Sequence, residues 1–82
     1  MRVELRAVPD CPHLAATRER LRACLEQAGW PPDFEERLGE FRSPSVLVDG
    51  VDVTGADPRA PAACVLYPPT AEQILTALRG RA

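Results

Sequence analysis

The chain has 82 residues, 45% of them apolar, with 12 acidic and 10 basic side chains and a net charge of −2 at pH 7. That length predicts one domain over 1–82, near the size at which a single core is only just sufficient. The intermixed charges exclude a nucleic-acid surface, and no stretch is long enough to span a membrane.

The first stretch, Arg2 to Val8, alternates. Val3, Leu5 and Ala7 face one way and Arg2, Glu4 and Arg6 the other, which predicts a strand with one buried and one wet face. Those three charges also interrupt any apolar signal segment, so the expected compartment is the cytoplasm, where thiols stay reduced. Pro12 to Ala28 reads as a helix, with Leu14, Leu21, Cys24, Leu25 and Ala28 as its apolar stripe. Gly29 and Pro31-Pro32 stop it. In 30–43, early acidic residues and Gly39 favour a short helical turn, with a brief edge strand as the alternative.

Ser45–Asp49 and Val51–Thr54 read as two strands joined at Asp49-Gly50, a pair suited to a type I′ turn. Residues 55–69 are rich in Pro and Ala and read as loop, with a short extended piece at Cys64-Val65-Leu66-Tyr67. A closing helix is expected from Ala71 to Arg79. Thr70 and Gln73 form a capping box for it, Ile74, Leu75 and Leu78 its apolar face, and Gly80 its stop. The wet face of the first strand predicts both helices on the same side of the sheet, with the other side open or thinly covered.

All ten basic residues are arginine, which reads as a composition bias. The three cysteines, Cys11, Cys24 and Cys64, are odd in number and widely spaced, so they are neither a disulfide framework nor a zinc-finger pattern. Cys11 carries the chemical interest. It follows the first strand and precedes Pro12 at the apparent start of a helix. Unpaired first-turn amides and the helix dipole favour a thiolate there, and can take a thiol from ~8.5 down to roughly 3.5–7.5. His13, if cationic, would help; otherwise it is an exposed first-turn residue. Cys24 belongs to the apolar stripe, roughly 20 Å along the helix from Cys11, as a small core residue. Trp30 and Tyr67 read as packing or rim residues, and Asp49 and Asp52 as turn residues.

These features together resemble a reduced thioredoxin-like fold. They are the first strand entering Asp10-Cys11-Pro12-His13, the helix after it, Ser43-Pro44-Ser45 before a hairpin, and the closing amphipathic helix. Cys11-Pro12-His13-Leu14 is similar to the Cys-Pro-His-Cys motif of bacterial disulfide oxidases. Ser43-Pro44-Ser45-Val46-Leu47-Val48-Asp49-Gly50 and Ala63-Cys64-Val65-Leu66-Tyr67 resemble segments of small actinobacterial thioredoxin-like proteins related to alkylmercury lyase.

The resemblance implies an α/β domain with a three- or four-stranded mixed sheet and two main helices on one face. The span from Gly29 to Ser43 is too short for the family's second strand plus second helix, so one of them is lost. It further implies a cis Pro44 facing Cys11, with Ser43 offering backbone groups to a thiol-bearing peptide. Cys64 is placed at the same end as Cys11, able to pair with it or to share a soft ion such as mercury or copper. Leu14 stands where the second cysteine of a CxxC would be, so a one-helix dithiol is absent. Leu14 and Tyr67 also stand three residues after Cys11 and Cys64, where an alkylmercury lyase has its aspartate after the first cysteine, so organomercurial cleavage is not expected.

The expected function is thiol–disulfide exchange at Cys11, with Cys64 and His13 assisting and Ser43 and Pro44 binding substrate. Whether it turns over as an enzyme is left open. The alternatives are a soft-metal module using Cys11 and Cys64, with no other cofactor, or a degenerate domain kept for protein contact. The expected partner is a thiol- or disulfide-bearing protein or a small thiol, and the open face makes a homodimer plausible.

Overall fold

A computed structural model describes residues 2–57, 59, 61–64 and 68–80. Strand β1 (Val3–Ala7) is followed by helix α1 (Leu14–Gln27) and strand β2 (Glu35–Leu38). Then come β3 (Arg42–Ser43), β4 (Ser45–Val48), β5 (Val51–Asp52), β6 (Ala63–Cys64) and helix α2 (Ala71–Arg79). The main sheet has the order β2-β1-β4-β5, and β3 and β6 form a second, two-stranded sheet. The domain is therefore α/β, with a four-stranded mixed sheet. β2 runs parallel to β1, and β4 and β5 are antiparallel to their neighbours. A parallel pair needs a crossover, and α1 supplies it.

Alternation along β1 works as the sequence predicts on one face. Val3 and Leu5 pair across the ladder with Val48 and Val46. These four meet Leu21, Cys24 and Leu25 of α1 and Ile74 and Leu78 of α2 in one buried cluster. Both helices therefore cover the same face of the sheet. Trp30 packs at the margin of this core, as expected of a packing residue.

The punctuation also holds. Asp49 and Gly50 both have positive φ, 51° and 82°, as the type I′ turn requires. The Asp49 carboxylate accepts the Arg2 amide at 2.8 Å, so this turn is tied to the start of β1. β5 stops at Asp52, whose carboxylate accepts from the Thr54 amide at 2.8 Å and hydroxyl at 2.7 Å. The capping box of α2 is complete: the Gln73 amide donates to the Thr70 hydroxyl at 3.1 Å and the Thr70 amide to the Gln73 side chain at 2.9 Å.

Three expectations are corrected. First, α1 starts at Leu14 with His13 as its N-cap, two residues later than Pro12. Second, Glu35–Leu38 is an edge strand, not a helical turn. The backbone of β1 offers a ladder, and salt bridges hold the acidic side chains: Arg2 to Glu35 at 2.8 Å and Arg18 to Glu36 at 2.7 Å. Pairing and neighbours outweigh local propensity. The chain then passes from α1 through β2 directly to β3.

Third, the face opposite the helices is polar but not open. Glu4 is only 3% exposed, and Leu47, Ser45 and Asp52 are buried with it. Glu4 is neutralised by Arg6 at 2.9 Å, Arg2 at 3.1 Å and Arg37 at 4.0 Å. Phe41 lies under the guanidinium groups of Arg6 and Arg37, 5.2 and 5.8 Å from its ring centre. A charged strand face can be buried when its charges are paired and stacked on an aromatic ring.

Candidate functional site

The sheet directions fix where the loops converge. β1 ends at Ala7 and leads through residues 8–13 into α1. β4 is antiparallel to β1, with Ser45 paired to Arg6, so the start of β4 lies beside the end of β1. Pro44 and Ser43 therefore stand at the same end of the sheet as the segment bearing Cys11. β6 runs parallel to β3 with Cys64 paired to Ser43, which adds the Cys64 backbone to that end. Neighbouring strands lie about 4.8 Å apart. Cys11, His13, Ser43, Pro44 and Cys64, all named from the sequence, are thus gathered at one end of the domain.

Each residue has its own setting. Cys11 is 7% exposed. Its carbonyl accepts the Leu14 amide at 3.1 Å, which makes Cys11-Pro12-His13-Leu14 a tight turn feeding the helix. Cys11 therefore sits one turn ahead of α1 and does not cap it. The amides of a helix's first turn lack helical carbonyl partners; here the Leu14 amide is taken by the Cys11 carbonyl. His13 is half-exposed and makes no side-chain cap. The Ser43–Pro44 peptide is cis, as expected of Pro44. Ser43 and Pro44 are buried, and the Ser45 hydroxyl donates to the Arg42 carbonyl. Val65, Leu66 and Tyr67 lie outside the described residues.

Two buried hydroxyls stand out: neither Ser43 nor Thr17 finds a hydrogen-bond partner for its oxygen among the described residues. Leaving such a group unpaired costs about 1–3 kcal/mol. Ser43 belongs to the convergent end, and Thr17 lies in the first turn of α1, just after the Cys11 turn. Sequence reading missed Thr17, because a threonine in a helix pattern gives no sign of being buried without a partner.

Cys24 is separate from this site. It is 2% exposed within the core cluster. Burial pushes its thiol up from the ordinary range, against a weaker opposing pull from Arg20. Its sulfur lies 3.7 Å from the Ala71 carbonyl. Among the described residues there is no group of three or more metal-ligating side chains, and no helix is long and apolar enough to cross a membrane. No family model, curated protein or solved structure matches the chain.

Proposed function

We propose that this is a reduced thioredoxin-like protein that performs thiol–disulfide exchange at Cys11, with Cys64 as the second sulfur. One observation carries the proposal: the antiparallel β1–β4 ladder and the parallel β3–β6 ladder bring the backbones of Cys11, Ser43 and Cys64 to a single end of the sheet. The order of a strand into Cys11, a helix, Ser43-Pro44 before a hairpin, and a closing amphipathic helix supports it.

The chemistry is as follows. The Cys11 thiolate attacks one sulfur of a substrate disulfide; the new bond is a mixed disulfide, and the other substrate sulfur leaves as a thiolate that takes a proton from solvent. The Cys64 thiolate then attacks the Cys11 sulfur, forming a Cys11–Cys64 disulfide and releasing the second substrate thiolate. The protein loses two electrons and the substrate gains two. Ser43, beside Pro44, would offer backbone groups to a thiol-bearing peptide arriving at this end, as the resemblance implies. A Cys11–Cys64 bridge needs Cα atoms about 4.4–6.8 Å apart.

The test uses the whole chain with Cys24→Ser as background. Reduced protein is treated with iodoacetamide at pH 6 and, separately, equilibrated with a glutathione redox buffer and mapped by mass spectrometry. The expected results are alkylation of Cys11 well above the rate of a simple thiol, and a Cys11–Cys64 disulfide. Cys64→Ser should trap glutathione on Cys11. A Cys11 that alkylates no faster than a simple thiol, with no Cys11–Cys64 disulfide at any glutathione ratio, overturns the proposal.

A further inference from the structure

The outer edge of β2 is the feature with the most to say beyond this chemistry. β2 is the terminal strand of the main sheet, and all four of its residues are exposed. Leu38, at 57% exposure, is one of the large apolar side chains left in solvent. An edge of this kind is a template for another strand unless something blunts it.

The hydrogen-bonding parity of the edge follows from one contact. The Gly39 amide donates to the Ala7 carbonyl at 3.0 Å, so Gly39 points its backbone at β1. Alternation then turns the backbone groups of Arg37 and Glu35 toward β1, and those of Phe34, Glu36 and Leu38 outward.

We infer that β2 pairs with β2 of a second copy of this chain, antiparallel and centred on Glu36. A two-fold axis perpendicular to a continuous sheet keeps each side chain on its own face, so paired residues must have the same parity. Centring on Glu36 pairs Phe34 with Leu38 of the other copy and Glu35 with Arg37. Both pairings are complementary. Phe34 and Leu38 are apolar and on the face bearing the helices; Glu35 and Arg37 are opposite charges on the other face. The outward backbone groups of Phe34, Glu36 and Leu38 fall in hydrogen-bonded pairs. Glu35 and Arg37 fall in the closer, non-hydrogen-bonded positions, with Cα atoms about 4.5 Å apart.

The charged ends retain room for this contact: the Glu35 and Arg37 side chains are 47% and 46% exposed despite their pairing with Arg2 and Glu4. The two Glu36 carboxylates that meet at the axis are each already held by Arg18 of their own copy, at 2.7 and 2.9 Å. Neighbouring registers lose this match: centring on Arg37 sets Glu36 against Leu38.

The test is sedimentation equilibrium with a reductant present, so that no intermolecular disulfide contributes. Wild type is expected to be a reversible dimer. Glu35→Arg places two arginines opposite each other and Arg37→Glu places two glutamates; each should weaken association at least tenfold while circular dichroism stays unchanged. The double variant restores opposite charges and should recover the dimer. An equimolar mixture of the two single variants should form a heterodimer. One copy then carries arginine at both positions and the other glutamate at both, so every cross-strand charge pair is again opposite in sign. A monomeric wild type at high concentration, or a dimer indifferent to both single variants, overturns the inference. Neither result bears on the Cys11 alkylation test.

Discussion

Arg18 of α1 grips Glu36 of β2 through two parallel hydrogen bonds, 2.7 and 2.9 Å long. The pair bridges the first helix and the edge strand of the sheet. It adds to the packing of Trp30 and Phe34, from the connection between the two elements, against the core.

That clamp makes stability depend on pH in a definite direction. The hydrogen bond from Arg18, and then its charge, hold the Glu36 carboxyl below its usual range, against a partial opposing effect of burial. A depressed carboxylate contributes stability that is fully present above the unfolded value of about 4.3 and is lost as pH falls through the folded value. The pair is about one-third exposed, so solvent screening limits its worth to about 0.5 kcal/mol. Glu36→Gln should therefore lower stability in urea at pH 7 by about that much. The difference from wild type should vanish at about pH 2, well below the free carboxylate range.

Glu4 should be the most sensitive charged position. It is buried among three arginines, and removing it leaves Arg6, itself largely covered, without its counter-ion. Glu4→Ala should cost about 2–4 kcal/mol. Glu4→Met, which fills the space without a charge, should recover part of that loss. Urea denaturation of both variants checks the order.

Cys24 should behave as the unreactive reference thiol. Its burial and raised pKa predict no alkylation in the folded protein at pH 8 (roughly the ordinary thiol range), and full alkylation in denaturant. Mass mapping after a timed iodoacetamide pulse reads this directly, and modification of folded Cys24 at the rate of an unfolded peptide would contradict it.

Thr70→Ala removes the acceptor for the Gln73 amide and frees its reciprocal partner. The expected loss is about 1 kcal/mol. In a domain this small that lowers the melting temperature by roughly 4–8 °C, measurable by circular dichroism.

The elements most legible in the sequence were those set by local chemistry. The Asp49-Gly50 turn, the Thr70–Gln73 capping box and the Val3/Leu5 alternation each need only neighbouring residues to be understood. Pro44 and the placing of Cys64 at the Cys11 end came instead from a resemblance.

What the sequence hid was decided by long-range partners. Glu35–Leu38 looks helical until β1 and the arginines at 2 and 18 are placed beside it. Glu4 looks solvated until Arg6, Arg37 and Phe41 close over it. The start of α1 moved to Leu14 because the Leu14 amide bonds to the Cys11 carbonyl, closing a turn ahead of the helix. At the site, Ser43 and Cys64 could be placed at the Cys11 end, but that the hydroxyls of Ser43 and Thr17 find no partner among the described residues depends on groups far away in sequence.

The turn ahead of α1 also separates two jobs. Pro12 and His13 lie outside the apolar cluster, and His13 joins the helix only through its carbonyl, which accepts the Thr17 amide at 3.0 Å, while Leu21, Leu25 and Cys24 anchor the same helix from within. The two residues after Cys11 can therefore be exchanged with little cost to the apolar core.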